Sequence, residues 1–369
     1  MDILLCCEFF FPSTGGSQKV IEEIAKNLII QGNKITIATT FIKNRKKIES
    51  IQLKEFKISG NLVNGFSGNI DKYKTFIRDS KYDVILFYAA QQWTFDLALD
   101  LLDNINSKLI FCPCGYSGLK DKKYQKYFDT LSKKLKIFYK CVYHGREYQD
   151  YEFGLKFSPN NIAVIENAAS DEFNTISNNN FKNKYNIQDL MILNTANYSF
   201  MKGQDISLLI FLLSKVKGTL VFIGNNNLRF SNLYFCFLYI FKFLINTFFR
   251  YKKIIFLKQI PRKEVIEAFL DADIFLFTSR LECSPLVIFE SSASETAFIS
   301  RDVGNTKEIS KWTNAGFVSN NLRALVNYLN LLYVDNNKRL IMARNGRKSF
   351  IDRFNWKKVT YKYLDIMRG

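Results

Sequence analysis

Histidine is almost missing from this chain: His144 is the only one in 369 residues. A Ser-His-Asp triad or a histidine-based metal site is therefore nearly excluded unless that one residue serves. Its setting, Val142-Tyr143-His144-Gly145, reads as a strand end and favours a structural role. Glycine and proline are scarce, at 17 and 5 residues, which excludes a fibrous or low-complexity protein. The seven cysteines (Cys6, Cys7, Cys112, Cys114, Cys141, Cys236, Cys283) contain no Cys-x-x-Cys pair and are odd in number. That pattern favours reduced thiols in a cytoplasmic protein over a disulfide framework or a zinc site. An acid, Asp2, stands where a secretory signal would carry Lys or Arg, so no signal peptide is expected. The longest unbroken run in the most apolar stretch, 233–241, is nine residues. About 20 are needed to span a bilayer.

What is present is an ordinary globular mix, with 47% apolar and 23% charged residues and enough length for two domains. Short β-branched runs alternate with helical patterns. The first strand is expected at 3–7, a helix at 19–30 with Ile21, Ile24, Ala25 and Leu28 on one face, and a strand at 35–39. Further strands are expected at 84–88, 109–112, 137–143 and 162–165. After an Asn-rich stretch a second series follows at 191–195, 220–223, 254–257, 274–278 and 297–300. The chain thus reads as α/β, with two Rossmann-like doubly wound domains facing across a cleft. The expected boundaries are 1–168 plus 350–369 for the first domain, 169–188 for a linker and 189–349 for the second domain.

Three segments point to chemistry. In Pro12-Ser13-Thr14-Gly15-Gly16-Ser17, two glycines allow a close backbone approach before a helix N-terminus that offers N–H groups to an anion. It is neither a P-loop nor a Gly-x-Gly-x-x-Gly loop. In 278–290, a buried strand runs into Glu282, Ser284, Pro285, Leu286 and Glu290, with Pro285 expected in the first turn of a helix. Loop amides there suit a phosphate, and the two carboxylates suit sugar or ribose hydroxyls. In 197–203, Lys202 stands on the loop after the second domain's first strand, where it would neutralise a diphosphate leaving group. Asp271-Ala272-Asp273 matches an Asp-x-Asp metal motif, but it precedes a strand rather than following one, so both acids read as helix-end residues.

Together these segments resemble the group 1 (family 4) glycosyltransferases of GT-B fold. The resemblance extends over 12–39, 164–168, Lys202-Gly203, the Glu282 to Glu290 motif, 302–309 and Phe354-Asn355-Trp356, which looks like the start of that family's closing helix. It implies that Glu290 holds the nucleotide ribose, Glu282 faces the donor sugar, Lys202 binds the diphosphate and Gly16 lets its loop approach the phosphates. It implies retention of anomeric configuration, with no metal and no cofactor. Asn197 stands where the family usually has Arg, Cys114 before Gly115 where many members have His, and Asn167-Ala168 where Asn-Gly is common. Acceptor contacts are expected near Gly15, Gly16 and 115–117.

Net charge is +18, and 16 of those charges fall in two segments. Residues 206–263 carry ten bases and no acid, and 118–140 carry eight lysines against Asp121 and Asp129. Within the first, 230–250 contains nine aromatic residues, with Lys242, Asn246 and Arg250 at i, i+4 and i+8. An amphipathic helix in 230–253 on an anionic membrane surface is the expectation. No nucleic-acid recognition module is present. The sequence therefore predicts a cytoplasmic transferase, peripheral at the inner face of the cell membrane, moving sugar from a nucleotide-sugar donor to a glycan acceptor, lipid-linked, in cell-surface polysaccharide synthesis. A nucleotide-sugar epimerase or phosphorylase of the same architecture, or a non-catalytic membrane or glycan adaptor, stays open.

Overall fold

The alternation of apolar strands with helices folds into two α/β units in a computed structural model, Met1–Asn167 with Trp356–Gly369 and Ala168–Asn355. The structure describes every residue except 14, 47, 49 and 226–230, and only the backbone of 231–233 and 235. Thr14 of the Gly-Gly segment and Arg229 and Phe230 of the basic aromatic segment lie outside the described residues.

The first unit is built on a parallel sheet of seven strands: β1 (Asp2–Cys6), β2 (Lys34–Thr40), β3 (Ile51–Phe56), β6 (Val84–Tyr88), β7 (Lys108–Cys112), β8 (Lys140–Tyr143) and β9 (Ile162–Val164). Their order is β3-β2-β1-β6-β7-β8-β9, and a small antiparallel hairpin, β4 (Ile58–Asn61) with β5 (Gly65–Gly68), stands beside it. The Gly16–Ile30 helix buries Val20, Ile21, Ile24, Ala25 and Leu28, the stripe that its 3.6-residue periodicity places on one face. The Trp356–Arg368 helix closes the unit by burying Val359, Tyr363, Leu364 and Met367. Lys362 bonds the buried Glu166 at 2.6 Å, and Lys108 donates to the Met367 carbonyl at 3.0 Å, where a helix C-terminus favours a cation.

The second unit has a six-stranded parallel sheet, β12 (Lys252–Lys258), β11 (Gly218–Gly224), β10 (Leu190–Thr195), β13 (Ile274–Phe277), β14 (Ala297–Ser300) and β15 (Gly316–Val318), in that order. Both faces are buried. Leu220, Phe222 and Leu276 enter one apolar cluster, and Val221, Ile223 and Phe275 enter the other. Two-sided burial explains why these strands read as continuous apolar runs.

Four expectations need correction. The polar stretch 169–188 is not a linker: Phe173, Phe181 and Ile187 are buried in the second unit's core, which the flanking asparagines mask in sequence. The return to the first unit begins at Trp356 rather than 350, because Phe350 and Phe354 are buried in the second unit, where Phe354 packs on Phe289 and Trp312. Pro285 is the N-cap of the Leu286–Ala293 helix, one residue ahead of its first turn. The fourth concerns the Ser231–Phe248 helix. Leu238 and Ile245 are buried in the second unit's core, and Asn246 lies at the flank of that face. Asn246 exchanges hydrogen bonds of 3.1 and 2.7 Å with the Ile254 backbone on the edge strand β12, so this exposed side chain also covers part of a sheet edge. The outward face carries Phe237, Ile240, Phe243, Leu244 and Phe248, all exposed. Lys252, counted among the basic residues, turns inward to the Phe211 and Ser214 carbonyls at the end of the Gln204–Leu213 helix, and burial pulls its ammonium down to about 8. Among the described residues, no helix is long and apolar enough to cross a membrane.

Candidate active site

In an open parallel sheet, ligands bind beyond the carboxyl ends of the strands where the strand order reverses. In the second unit that point lies between β10 and β13, and the loops leaving these two strands carry Lys202 and Glu282. After β10 the chain makes a short turn at Phe200–Lys202 and bends at Gly203, whose φ of +65° is a left-handed conformation. A Cβ at Gly203 would lie 2.1 Å from the Thr278 carbonyl oxygen, so glycine is needed here for a close approach as well as for φ. Thr278 fastens the contact by donating to the Gly203 carbonyl at 2.7 Å.

This docking of loop on loop brings together two residues 80 apart in the chain. Lys202 Nζ lies 2.6 Å from Glu282 Oε1, and the same oxygen accepts from Ser279 Oγ at 2.7 Å. Ser279 Oγ also lies 3.1 Å from the Met201 carbonyl. Beside the pair, Arg280 grips Asp205 through two bonds of 2.9 and 2.6 Å and stacks on Phe200 at 3.8 Å. Burial pushes the Asp205 carboxyl up, but the Arg280 and Tyr234 bonds outweigh it and hold it below its ordinary value.

The Leu286–Ala293 helix begins directly after this loop and carries Glu290 at the start of its second turn, 7% exposed, with Arg262 Nη2 3.3 Å from its Oε1. Behind the loop, Gly304 has φ +58°, and a Cβ there would meet the Cys283 carbonyl oxygen at 2.2 Å. Asn305 N donates to that same carbonyl at 2.9 Å. Loop 282–284 is thus fixed from below, with Ser284 and Leu286 half-buried and Pro285 buried. The arrangement offers a half-exposed ammonium, the start of a helix and two carboxylates within one loop and helix, a set suited to an anionic group joined to hydroxyls.

The structure brings Lys202, Glu282, Ser284, Pro285, Leu286 and Glu290 into one region of the second unit. Asn197 lies on the same loop as Lys202, exposed, its carbonyl accepting from Gln204 Nε2 at 3.0 Å. Asp271 caps the Asn180–Lys184 helix by accepting from Phe181 N and Lys182 N at 2.9 and 3.0 Å, and Asp273 accepts from Met191 N and Lys182 Nζ at 2.9 and 2.7 Å. These are structural bonds at the amino end of the sheet. Arg262, Arg280 and Asp205 escaped the sequence analysis; Arg280 stands between two residues of the Glu282 motif and was legible as a further cation.

Gly15, Gly16, Cys114 and Gly115 belong to the first unit, at the carboxyl edge of its sheet. Gly15 is the N-cap of the Gly16–Ile30 helix with extended φ, and a Cβ there would meet only the tip of the Gln18 side chain. Cys114 (φ +56°) and Gly115 (φ +86°) form a left-handed turn after β7, held by Asp150 Oδ2 accepting from Gly115 N at 2.9 Å. Burial pushes the Cys114 thiol up, yet hydrogen bonds from Cys112 and His144 outweigh it and hold it below the ordinary thiol range.

Glu8, just past β1, was not anticipated. Burial lifts its carboxyl from 4.5 to about 7 against a bond from the Trp93 backbone, with the Asp96 charge adding to the rise. The folded value lies above the unfolded one, so between pH 4.5 and 7 the native state holds a proton that the unfolded chain has lost. Stability therefore falls as pH rises through that window. Glu8→Gln keeps an acceptor for Trp93 and removes the ionisation. Because Glu8 is partly solvent-screened, the shift is worth less than its full value: thermal unfolding should match wild type at pH 4 and exceed it at pH 8 by about 2 kcal/mol; parallel curves at both pH values would refute the assignment.

Residues 176–349 match the family model described as glycosyl transferases group 1. No curated relative matches the chain in sequence. Among solved structures, Anabaena HepE in complex with UDP is 15% identical with a TM-score of 0.80, each chain being covered in full. Sucrose-phosphate synthase from Thermosynechococcus elongatus is 15% identical with a TM-score of 0.79, covering 100% of this chain and 98% of its own. A glycosyltransferase from Rickettsia africae is 20% identical with a TM-score of 0.77, covering 100% and 97%. The match to a group 1 glycosyltransferase domain thus spans 176–349, with the Lys202 and Glu282 loops inside it, and the chain as a whole has the GT-B fold of these structures.

Proposed function

We propose that this glycosyltransferase moves a sugar from a nucleoside-diphosphate sugar to a lipid-linked glycan acceptor, with retention of anomeric configuration, in the building of a cell-surface polysaccharide. The single observation that carries the reading is the Lys202–Glu282 pair at 2.6 Å, set at the switch point of the second unit's sheet. In transfer, the acceptor's hydroxyl oxygen bonds to the anomeric carbon as the bond from that carbon to the β-phosphate oxygen breaks; the electron pair of the broken bond goes to that phosphate oxygen, and the acceptor's proton passes to the departing diphosphate. Lys202 turns from Glu282 to meet the charge that develops there, and the amides at the start of the Leu286–Ala293 helix meet the remaining phosphate oxygens. Glu290, held by Arg262, accepts from ribose hydroxyls, and Glu282 takes the donor sugar's hydroxyls once Lys202 has left it. Asn197 leaves this centre with one cation fewer than the family pattern, so Lys202 carries a larger share of the charge. UDP in the HepE structure makes a uridine nucleotide the first donor to try.

The Ser231–Phe248 helix supports the reading of an acceptor held at a membrane. Phe243 and Ile240 are 67% and 59% exposed on its outward face, and Arg250, Lys253 and Lys217 are exposed nearby in sequence or on the adjoining strands. Apolar side chains flanked by cations suit an anionic bilayer interface, where burial of apolar area and charge attraction add. Sedimentation with vesicles tests this. The protein should pellet with phosphatidylglycerol vesicles and not with phosphatidylcholine ones, and an Ile240→Asp, Phe243→Asp variant should stay in the supernatant. Equal partition between the two vesicle types would overturn it.

A further inference from the structure

We propose that Cys112, Cys114 and His144 form a zinc-binding site in the first unit, a property independent of the transferase reading. The three ligand atoms all lie within 4.8 Å of one another. Cys112 Sγ is 3.8 Å from Cys114 Sγ, and His144 Nε2 is 3.5 Å from the first sulfur and 3.7 Å from the second. A tetrahedral zinc ion with Zn–S bonds near 2.3 Å and Zn–N bonds near 2.0–2.1 Å needs edges of about 3.8 Å between sulfurs and about 3.5 Å from sulfur to nitrogen. The side chains thus already stand at three corners of such a tetrahedron.

The backbone explains how they come to do so. Cys112 ends β7 and His144 follows β8, its parallel neighbour, so the two side chains leave adjacent strands at the same edge. Cys114 returns to them through its own left-handed turn, at φ +56°, which Asp150 fixes through Gly115. A non-glycine residue in that region costs about 1–2 kcal/mol, so the surroundings must hold it there. The imidazole is oriented too. His144 Nδ1 lies 2.9 Å from the Ile165 carbonyl, just beyond β9. Donation of Nδ1–H to that oxygen leaves the Nε2 lone pair facing the sulfurs, the outer-shell arrangement that metal-binding histidines use. Tyr363 Oη, 4.0 Å from Cys112 Sγ, and Tyr88 Oη, 3.5 Å from Nε2, complete the surroundings.

Two thiolates and an imidazole select zinc over magnesium, calcium or manganese. Both thiols bind as thiolates, their protons pass to solvent and nothing is oxidised or reduced. Three protein ligands leave the fourth position to water. Cys112 and His144 are buried and Cys114 is half-buried, so the ion enters past Cys114.

The test uses the full chain, stripped of metal under reductant. Zinc titrated against a chromophoric chelator should bind one ion per chain, and cobalt in its place should give a thiolate-to-cobalt charge-transfer band with tetrahedral visible bands. Cys114→Ser should weaken zinc binding by at least about a hundredfold, more than loss of an outer-shell partner costs. Cys236→Ser, on the exposed face of a helix in the second unit, should bind as wild type does. X-ray absorption of the zinc-loaded wild type keeps the test alive if the variant fails to fold, and should find two sulfur scatterers with nitrogen or oxygen. No bound ion in the wild type, unchanged affinity in Cys114→Ser, or a shell without two sulfurs would overturn the proposal.

Discussion

Lys202→Ala is expected to lower kcat for sugar transfer about 10²–10³-fold, the cost of removing one preorganised group that stabilises developing negative charge. The fold should survive. Lys202 is half-exposed and its ion pair with Glu282 is partly solvated, so the loss in stability is about 1 kcal/mol or less. Lys202→Arg keeps the charge but spreads it over a planar group, and should recover part of the rate. Release of nucleoside diphosphate under saturating donor measures the effect. A kcat for Lys202→Ala within about threefold of wild type would remove Lys202 from the centre of the mechanism and leave Arg280 or the helix amides to carry the charge.

Gly203→Ala should be among the more damaging single methyls in the second unit, and the one that acts directly on the Lys202 loop. Alanine in a left-handed conformation costs about 1–2 kcal/mol. A Cβ 2.1 Å from the Thr278 oxygen adds overlap that forces the two loops apart, worth roughly 1–3 kcal/mol. Thermal denaturation should show the second unit's transition lowered by about 10 °C, at 2–4 °C per kcal/mol for a unit of this size. Transfer should fall at temperatures where the protein is still folded, because parting the loops separates Lys202 from Glu282. Gly15→Ala is the contrast. Gly15 has extended φ, and its added Cβ meets only the movable end of Gln18. Little change in melting temperature is expected there, and equal losses from the two substitutions would contradict the geometric account of Gly203.

Much of this architecture was legible because parallel strands buried on both faces leave unbroken apolar runs, as in Val84–Tyr88 and Ala297–Ser300, whose ends the structure reproduces. Edge elements carry no such signal. The edge strand Ile51–Phe56 holds Gln52, Lys54 and Glu55, and the hairpin after it has strands of only four residues, so both were passed over. The Ser231–Phe248 helix was legible as a helix but not in its orientation. Periodicity groups Asn246 with Lys242 without saying that an edge strand with an open carbonyl and amide lies under them.

The candidate site divides in the same way. Lys202, Glu282 and Glu290 stand at a loop, a loop and a helix, which strand-ending patterns place directly. Their partners come from elsewhere in the chain. Glu290 meets Arg262 and Arg280 meets Asp205, 28 and 75 residues apart, and only the sheet order brings them together. The same holds for the thiol cluster. Cys112-Pro113-Cys114 has a spacing too short for the usual zinc pattern, and His144 lies 30 residues beyond Cys114. Pairing of β7 with β8 turns that separation into 3.7 Å. A Cys-x-Cys at one strand end, followed by a histidine at the end of the next, was the available signal.

The central claim is that the second unit binds a nucleoside-diphosphate sugar through Lys202, Glu282 and Glu290. The most direct measurement is calorimetric titration of the wild type and Glu290→Ala with UDP, GDP and ADP, each without sugar. One nucleotide should bind the wild type clearly better than the other two, and Glu290→Ala should weaken that binding by about tenfold or more, the value of one charge-assisted hydrogen-bonding site. Absence of binding for all three nucleotides, or an affinity untouched by Glu290→Ala, would contradict the account.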